Sequence, residues 1–557
     1  MVCIKAILVV ICVVGKTAVA SAGFESAQVF PSSTELWFHV SDMSEVSSRI
    51  ANGPLGESLG KILRSPDGTK EARSLGLNGF TNLPWSDLSV LELMTLPKKE
   101  FAFGHFYEND ARKWCLLIDA DDERVGVQIF CLNLEKKLIA QGGEKKEWRI
   151  GDNNVVAFIS DGTCLAAFVE RGSQFLFCNS TDMISEMTIR WVNQTNDGLM
   201  SESEFVSSMK SMEIEKRGGV HLFIRGKHVF PTDEYMRLAL RLNTPYGLYP
   251  LIEAHGKSML IALSFPPKPG DVEAELHVQF CLNDEVELLK QPAKASFSET
   301  DPFASYDAIG YTVVSADFWR IPAESLKEDL KSSVAALRRM EELAKAKNLS
   351  VNDLLANSQN DMDLLPVVYM CILDGGAEAV IYKPRKNKAS FAELLSSRIP
   401  SDSIKNDGRD GSFWKIDQFK GFAIPASLSM MHEPLPKFKG VRGDYYIESN
   451  SDRFFTETEM QPDDTLHDSI PFKIVKRVLM ERSAGDCFAI QYWDVGRYIE
   501  SNSKQLQKSG IANWMHRRGL GSFVKLLPLT AECFGHGGGF VKKNQIGFRL
   551  EYFLLRR

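Results

Sequence analysis

Two short segments carry the letters of acyl-transfer chemistry. Gly56-Glu57-Ser58-Leu59-Gly60 fits G-x-S-x-G, the turn that lifts a serine hydroxyl toward a carbonyl. His536-Gly537-Gly538-Gly539 fits the H-G-G-G loop, whose backbone N–H groups stabilise an oxyanion. A serine hydrolase built on Ser58 and His536 needs more than these letters. Its serine must sit on a strained turn from strand to helix, with the oxyanion loop before it and the acid and histidine after it. Here the glycine loop lies far downstream of Ser58, and A-N-G-P-L-G-E-S-L-G-K-I-L reads as a loop entering a helix whose inner face holds Leu55, Leu59 and Leu63. The hydrolase is kept as an alternative, and the expectation for catalytic residues is none.

Metal and cofactor chemistry find no better footing. The chain has no H-x-H or H-E-x-x-H pattern; His221 and His228 are seven residues apart on a strand and its following turn, and His432-Glu433 lacks a second histidine. Asp119, Asp121, Asp122 and Glu123 could offer oxygens to calcium, but their spacing departs from the D-x-[DN]-x-[DN]-G loop and no bidentate glutamate follows. They read as a solvated turn before a helix, where negative charge is favourable. Asn406-Asp407-Gly408 and Asp410-Gly411 read as hairpin and loop turns. No P-loop, dinucleotide fingerprint or C-x-x-C pair occurs, so the expectation is no cofactor and no metal. Asn179, Asn193 and Asn348 fit N-x-[ST], which matters only in a glycosylating host.

The N-terminus gives the firmest reading. Lys5, the apolar stretch Ala6 to Val14 and Ala20-Ser21-Ala22 are the charged region, hydrophobic core and small-residue cleavage site of a secretion signal, placing the cut before Gly23. Its apolar core is too short to cross a bilayer, which takes about 20 residues. The mature protein is expected to be exported, whether periplasmic, on the cell surface or secreted, with no transmembrane helix after cleavage. Removing residues 1–22 leaves 63 basic against 72 acidic side chains, a balance that excludes nucleic acid as main partner. A protein or cell-envelope partner is expected instead. The basic run Lys383, Arg385, Lys386, Lys388 and the basic C-terminus, with Lys542, Lys543, Arg549, Arg556 and Arg557, read as a solvated loop and a charged edge strand. Cysteines 115, 131, 164, 178, 281, 371, 487 and 533 lie mostly inside apolar runs and read as buried small hydrophobes, their pairing undetermined.

The elements that must position all this recur along the chain. F-L-F-C-N-S-T-D-M, from Phe175, resembles Y-Y-I-E-S-N-S-D-R-F-F, with Asp182 against Asp452; a later segment ending at Phe205 resembles one ending at Phe472; and G-V-H-L-F-I-R from Gly219 matches G-D-C-F-A-I-Q from Gly485. The offsets of 270, 267 and 266 residues are nearly constant. A looser echo pairs Leu36–Val40 with Gly310–Val314. Aromatic and β-branched runs predict strands at 101–107, 114–118, 155–159, 165–169 and 175–177, and helical spacing predicts helices over 127–140 and 183–192, the latter capped by Thr181 and Asp182. An apolar stripe at Leu326, Leu330, Val334, Leu337, Met340 and Ala344 predicts the clearest helix, and Ser350 with Asp353 caps a short one at Leu354-Leu355.

These patterns predict an α+β fold: two tandem, internally duplicated units, each a mostly antiparallel sheet with helices packed on one face. The first would cover 23–300 and the second 301–557, joined through the polar, proline-bounded stretch Gln291 to Pro302.

The segments V-F-P-S-S-T-E-L-W-F-H-V-S-D-M, G-P-L-G-E-S-L-G-K-I-L-R-S-P and F-L-F-C-N-S-T-D together resemble uncharacterised exported proteins of planctomycete-type bacteria. The resemblance implies export and a recurring strand-to-capped-helix unit, and it carries no catalytic residue across. The expected function is a non-catalytic exported binding or structural protein of the periplasm or cell surface. The alternatives are the hydrolase and an extracytoplasmic folding or lipid-handling factor with an apolar cavity.

Overall fold

The structure, a computed structural model, describes residues 25–54, 56–58, 61, 96–108, 111–195, 197–213, 218–225, 256–266, 270–282, 295, 305, 307–315, 350, 367–374, 376–383, 404–408, 411–415, 438–456, 465–483, 487–506 and 531–556. The secretion signal, the stripe Leu326 to Ala344, the Leu354-Leu355 helix, the junction apart from Ala295, and the basic run beyond Lys383 lie outside the described residues. The chain divides into two compact units, Met1–Pro231 with Lys257–Cys281, and Thr232–Gly256 with Leu282–Arg557.

In the first unit the strands are β1 (Leu36–Val40), β2 (Phe101–Glu108), β3 (Ala111–Asp119), β4 (Glu144–Ile150), β5 (Asn153–Ser160), β6 (Thr163–Arg171), β7 (Gln174–Cys178), β8 (Val220–Arg225), β9 (Gly256–Ser264) and β10 (Val272–Leu282). Their pairings give the order β10-β9-β8-β1-β2-β3-β7-β6-β5-β4. Its helices are α1 (Glu25–Val29), α2 (Met43–Ala51), α3 (Arg124–Ala140), α4 (Thr181–Asn193) and α5 (Ser203–Ser211).

The second unit contains β11 (Ala308–Ser315), β12 (Val367–Leu373), β13 (Glu378–Lys383), β14 (Ile404–Gly408), β15 (Gly411–Lys415), β16 (Phe438–Arg442), β17 (Tyr445–Ser449), β18 (Cys487–Asp494), β19 (His536–Asn544) and β20 (Gly547–Leu555). All neighbours are antiparallel, in the order β20-β19-β18-β11-β12-β13-β17-β16-β15-β14. Strand for strand, this is the order of the first unit. Its helices are α6 (Arg453–Thr456), α7 (Ile470–Arg482) and α8 (Val495–Leu506).

The expected α+β class, with helices on one face of each sheet, is corrected by two findings. Strand accounts for 49% and helix for 31%, so the described residues form a mostly antiparallel β fold. Helices also cover both faces. Along β7, Leu176 and Cys178 join a core with Ile184, Met187 and Trp191 of α4. Phe177, pointing the other way, meets Phe130 of α3 edge-on at 5.7 Å. In β18 the adjacent residues Tyr492 and Trp493 meet Phe472 of α7 at 5.2 Å and Tyr498 of α8 at 4.8 Å. Consecutive strand residues point to opposite faces, so each sheet is sandwiched locally rather than covered once. The physical reason lies in unbroken runs such as F-L-F-C, whose lack of polar alternation marks strands buried on both sides.

One polar device recurs in both units. Asn179, just after β7, accepts from the Trp114 N–H through Oδ1 at 2.8 Å and donates its own N–H to the Trp114 carbonyl at 3.4 Å. Asn450, just after β17, does the same to Glu378 of β13, at 2.8 and 3.2 Å. Each asparagine amide thus stands in for one more residue of the ladder where the strand ends. A serine one residue further on then accepts from a backbone N–H in the first turn of the next helix. Ser180 Oγ accepts from Met183 N at 3.2 Å, so the cap of α4 is Ser180 rather than the expected Thr181 and Asp182. Ser451 Oγ accepts from Arg453 N at 3.3 Å. Asn179 is therefore committed to the sheet, whatever its place in an N-x-[ST] pattern.

Asn450→Ala leaves the Glu378 N–H without its acceptor, a loss of about 1–3 kcal/mol. Urea denaturation is expected to show that loss, whereas the same change at exposed Asn193 stays within about 0.5 kcal/mol. Equal effects at the two sites would contradict the clamp.

Candidate functional site: a cleft beside His536

The two sequence-derived candidates prove to have other work. Ser58 lies in a helical turn and its Oγ donates to the Pro54 carbonyl at 2.7 Å, so the hydroxyl is spent on the backbone rather than raised on an elbow. His536-Gly537-Gly538-Gly539 forms the first half of β19, where the glycines pair with both β18 and β20. Their N–H groups belong to sheet ladders. An oxyanion loop would need them free and convergent.

Packing explains the glycines better than catalysis does. A Cβ on Gly538 would lie 2.6 Å from Val475 Cγ1 of α7 and 2.9 Å from Phe553 Cζ of β20. A Cβ on Gly539 would lie 2.4 Å from the ring of Tyr552. Bare backbone at Gly538 lets α7 settle directly onto β19, and bare backbone at Gly539, on the other face, makes room for the Tyr552 ring. The start of α7 is set by Ser469, whose side chain accepts from Phe472 N, with Pro471 in the first turn.

Where α7 begins, β18 ends and β19 starts, a cleft of about 340 Å³ opens. Ile470, Pro471 and Ile474 of α7, with Phe534 and Leu555, form an apolar wall. Ile470 is 73% exposed. His536, Asp494 and Arg556 supply the polar lining.

Strand register assembles the polar group. Asp494 stands directly opposite His536 across the β18–β19 pair, and Tyr492, two residues earlier on the same face, stands opposite Gly538. With no side chain on Gly538, the Tyr492 ring lies nearly parallel to the imidazole, centroids 6.0 Å apart. Tyr492 Oη is 2.9 Å from His536 Nδ1. Asp494 Oδ2 lies 3.9 Å from the same nitrogen, beyond hydrogen-bond reach. The geometry fits either direction of the Tyr492–His536 bond; because a phenol is a better donor than acceptor and a neutral imidazole nitrogen a good acceptor, the bond is assigned with Tyr492 donating to Nδ1, which places the imidazole proton on Nε2. Asp494 is itself engaged: Oδ1 accepts from Arg497 N at 3.1 Å at the start of α8, and Oδ2 is 4.0 Å from the Arg497 guanidinium. Burial holds the His536 pKa below its ordinary 6.5, against the pull of Asp494, while Arg497 pushes the same way as burial. Near neutral pH the cleft thus presents a neutral imidazole.

A second histidine constellation lies sealed inside the first unit. His39 of β1 and His221 of β8 are directly opposite one another, with Nδ1 atoms 3.0 Å apart. Only one of these facing nitrogens can carry a proton if they are to bond. His39 Nε2 is 3.2 Å from Glu100, whose carboxylate also accepts from Ser26 N at 2.9 Å and Glu25 N at 3.2 Å at the start of α1. Trp37 stacks on His39 at 4.6 Å. Both imidazoles are buried, so this network ties β1, β8 and α1 together without presenting chemistry to a ligand. A further buried polar row follows one face of β10, where His277 Nε2 is 3.0 Å from Glu275 and Ser211 donates to Gln279 at 2.9 Å.

Sequence reading missed Tyr492 and Asp494, because their distance from His536 along the chain hides a register partnership. It also passed over His39, a single histidine in an otherwise apolar strand, and weighed His221 only against His228 rather than against its cross-strand neighbour His39. The acidic turn after β3 is structural: Asp119 accepts from Ser173 Oγ at 2.9 Å and from Asp121 N at 3.0 Å. No group of three or more histidine, cysteine or acidic side chains suited to a metal occurs among the described residues. The eight cysteines are free thiols, seven of them buried, and burial raises the pKa of Cys131 to about 12 and of Cys164 to about 11. No described helix is long and apolar enough to cross a membrane.

No protein family matches the chain, and no curated protein matches it. Among solved structures, crystal form I of TP0453 is similar at a TM-score of 0.24 and 11% identity, covering 48% of this chain and 81% of that one. Crystal form IV of TP0453 gives 0.23 and 11%, covering 45% and 79%. Likeness at this level supports no conclusion about fold or function.

Two measurements check the site. In an NMR titration the His536 imidazole is expected to titrate below 6.5, and further below in Asp494→Asn, which removes the opposing anion. The unfolded chain then takes up this proton at higher pH than the folded one. Stability contributed by His536 is therefore complete above about 6.5 and declines as pH falls through that value toward the folded pKa. A midpoint at or above 6.5 would contradict the burial argument. Gly538→Ala is expected to cost about 1–3 kcal/mol by overpacking against Val475.

Proposed function

We propose that this chain is an exported, non-catalytic binding protein whose ligand site is the cleft beside His536. The observation that carries the reading is an apolar wall meeting a neutral, hydrogen-bonded imidazole. Small-molecule sites have this composition: mostly apolar lining, with a few fixed polar groups that orient the ligand. Catalysis by His536 as a base toward a serine would need Nδ1 or Nε2 beside a nucleophile. Its Nδ1 faces the Tyr492 phenol instead. Export rests on Lys5, the apolar core and Ala20-Ser21-Ala22.

The common strand order, the paired asparagine clamps and the near-constant sequence offsets support reading the units as copies of one ancestral strand pattern. Phe205 and Phe472 hold the third position of α5 and α7 and pack edge-on against sheet aromatics, Trp37 at 5.2 Å and Tyr492 at 5.2 Å.

Expression of the full chain in a bacterial host, followed by N-terminal sequencing of the periplasmic fraction, is expected to give a protein beginning at Gly23. Retention in the cytoplasm with an intact N-terminus would overturn the export reading. For binding, isoleucine-methyl NMR with a fragment library is expected to shift Ile470 and Ile474. Shifts confined to other methyl groups would move the site elsewhere.

A further inference from the structure

In the first unit, α3 is apolar on two faces. Val127, Phe130, Cys131, Leu134 and Leu138 are buried, and the edge-on contact of Phe130 with Phe177 shows this face lying on the sheet. On the opposite face Val125, Ile129, Leu132 and Ile139 are 66, 53, 57 and 50% exposed. A helix apolar all round is normally covered all round. One copy of the chain covers only half of this one.

The exposed residues fall four and three apart in turn, and exposed Lys136 fills the step between Leu132 and Ile139. This is the a/d spacing of a coiled-coil seam, with Ile129 and Lys136 at a and Val125, Leu132 and Ile139 at d. Knobs at that spacing fit the holes of another helix. The charges around the seam then say which helix. Arg124 is held by Glu170 at 2.6 Å and Glu135 by Lys145 at 2.9 Å. Asp121 and Glu123 lie 3.9 Å from Lys99 and 3.0 Å from Lys98. Asp122 and Lys136, by contrast, are exposed and make no ion pair among the described residues. One stands just before the first turn of α3 and the other near its last, so α3 presents unanswered charges of opposite sign at its two ends.

We propose that the outer face of α3 docks a second copy of this chain, α3 against α3, antiparallel about a two-fold axis. In that arrangement a positions meet d positions. Ile129 packs against Leu132 of the second copy, while Lys136 lays its aliphatic stem over the second copy's Val125 and carries its ammonium to Asp122. The two-fold axis makes each of these contacts twice. A parallel pair would instead set Lys136 against Lys136, so the lysine within the seam selects the orientation. A seam of one helix is small for a specific interface, and the dimer it supports is a micromolar one.

Sedimentation velocity of the protein without residues 1–22, from low to high micromolar concentration, tests this. A monomer–dimer equilibrium is expected. Leu132→Asp, at the centre of the seam, should leave only monomer, with circular dichroism and low-concentration melting matching those of the parent. Asp122→Lys and Lys136→Asp should each weaken the dimer roughly tenfold by turning both ion pairs into repulsions, and combining them should restore it. A protein that stays monomeric, a dimer indifferent to Leu132→Asp, or a combined variant no tighter than either single one would overturn the proposal. So would a monomer that binds vesicles of phosphatidylethanolamine and phosphatidylglycerol and loses that binding in Leu132→Asp, which would give the stripe to a lipid surface.

Discussion

How closely α7 can approach β19 governs most of what the second unit offers to solvent. The absence of a side chain at Gly538 sets that distance, since Val475 Cγ1 occupies the space where a Cβ would be. From this close approach the rest follows. The N-terminal turn of α7 comes down beside the β18–β19 edge, Ile470 and Ile474 become a wall, and Tyr492, which faces the bare backbone of Gly538 across the β18–β19 pair, bonds to His536. The glycines that resemble an oxyanion loop are better understood as a seat for a helix.

The two units put similar polar chemistry to different ends. In the first, His39, His221 and Glu100 lie under Trp37 and against α1, and their hydrogen bonds join segments far apart in the chain. The Nδ1–Nδ1 bond across β1 and β8 and the Glu100 carboxylate at α1 thereby fix the register of distant segments. In the second, His536 retains a partly exposed edge because the cleft opens beside it. Burial decides whether a histidine becomes a tie or a contact for a ligand.

Much of the strand content was legible. Aromatic runs located β2, β3, β5, β6 and β7 to within a few residues, and helical spacing found α3 and α4. Sheet coverage was misread although F-L-F-C, with no polar alternation, puts apolar side chains on both faces; Phe130 and Trp191 lie on opposite sides of that strand. Nor did α3 carry a clean signal. Val125, Ile129 and Leu132 are exposed while Val127, Phe130 and Leu134 are buried, so its apolar residues point both ways. The cap of α4 was misplaced by one residue because N-S-T-D offers several capping oxygens in succession. At the site, His536 was visible as a letter, but Tyr492 and Asp494 reach it through antiparallel register, which no local spacing encodes.

The central claim is that Tyr492 donates to His536 and leaves a neutral imidazole with its proton on Nε2. Long-range nitrogen–proton NMR of the histidine rings at pH 7.5 measures this directly. The account predicts a protonated Nε2 and an unprotonated Nδ1 for His536, with the pattern lost in Tyr492→Phe. A proton on Nδ1, or a doubly protonated ring at that pH, would contradict it.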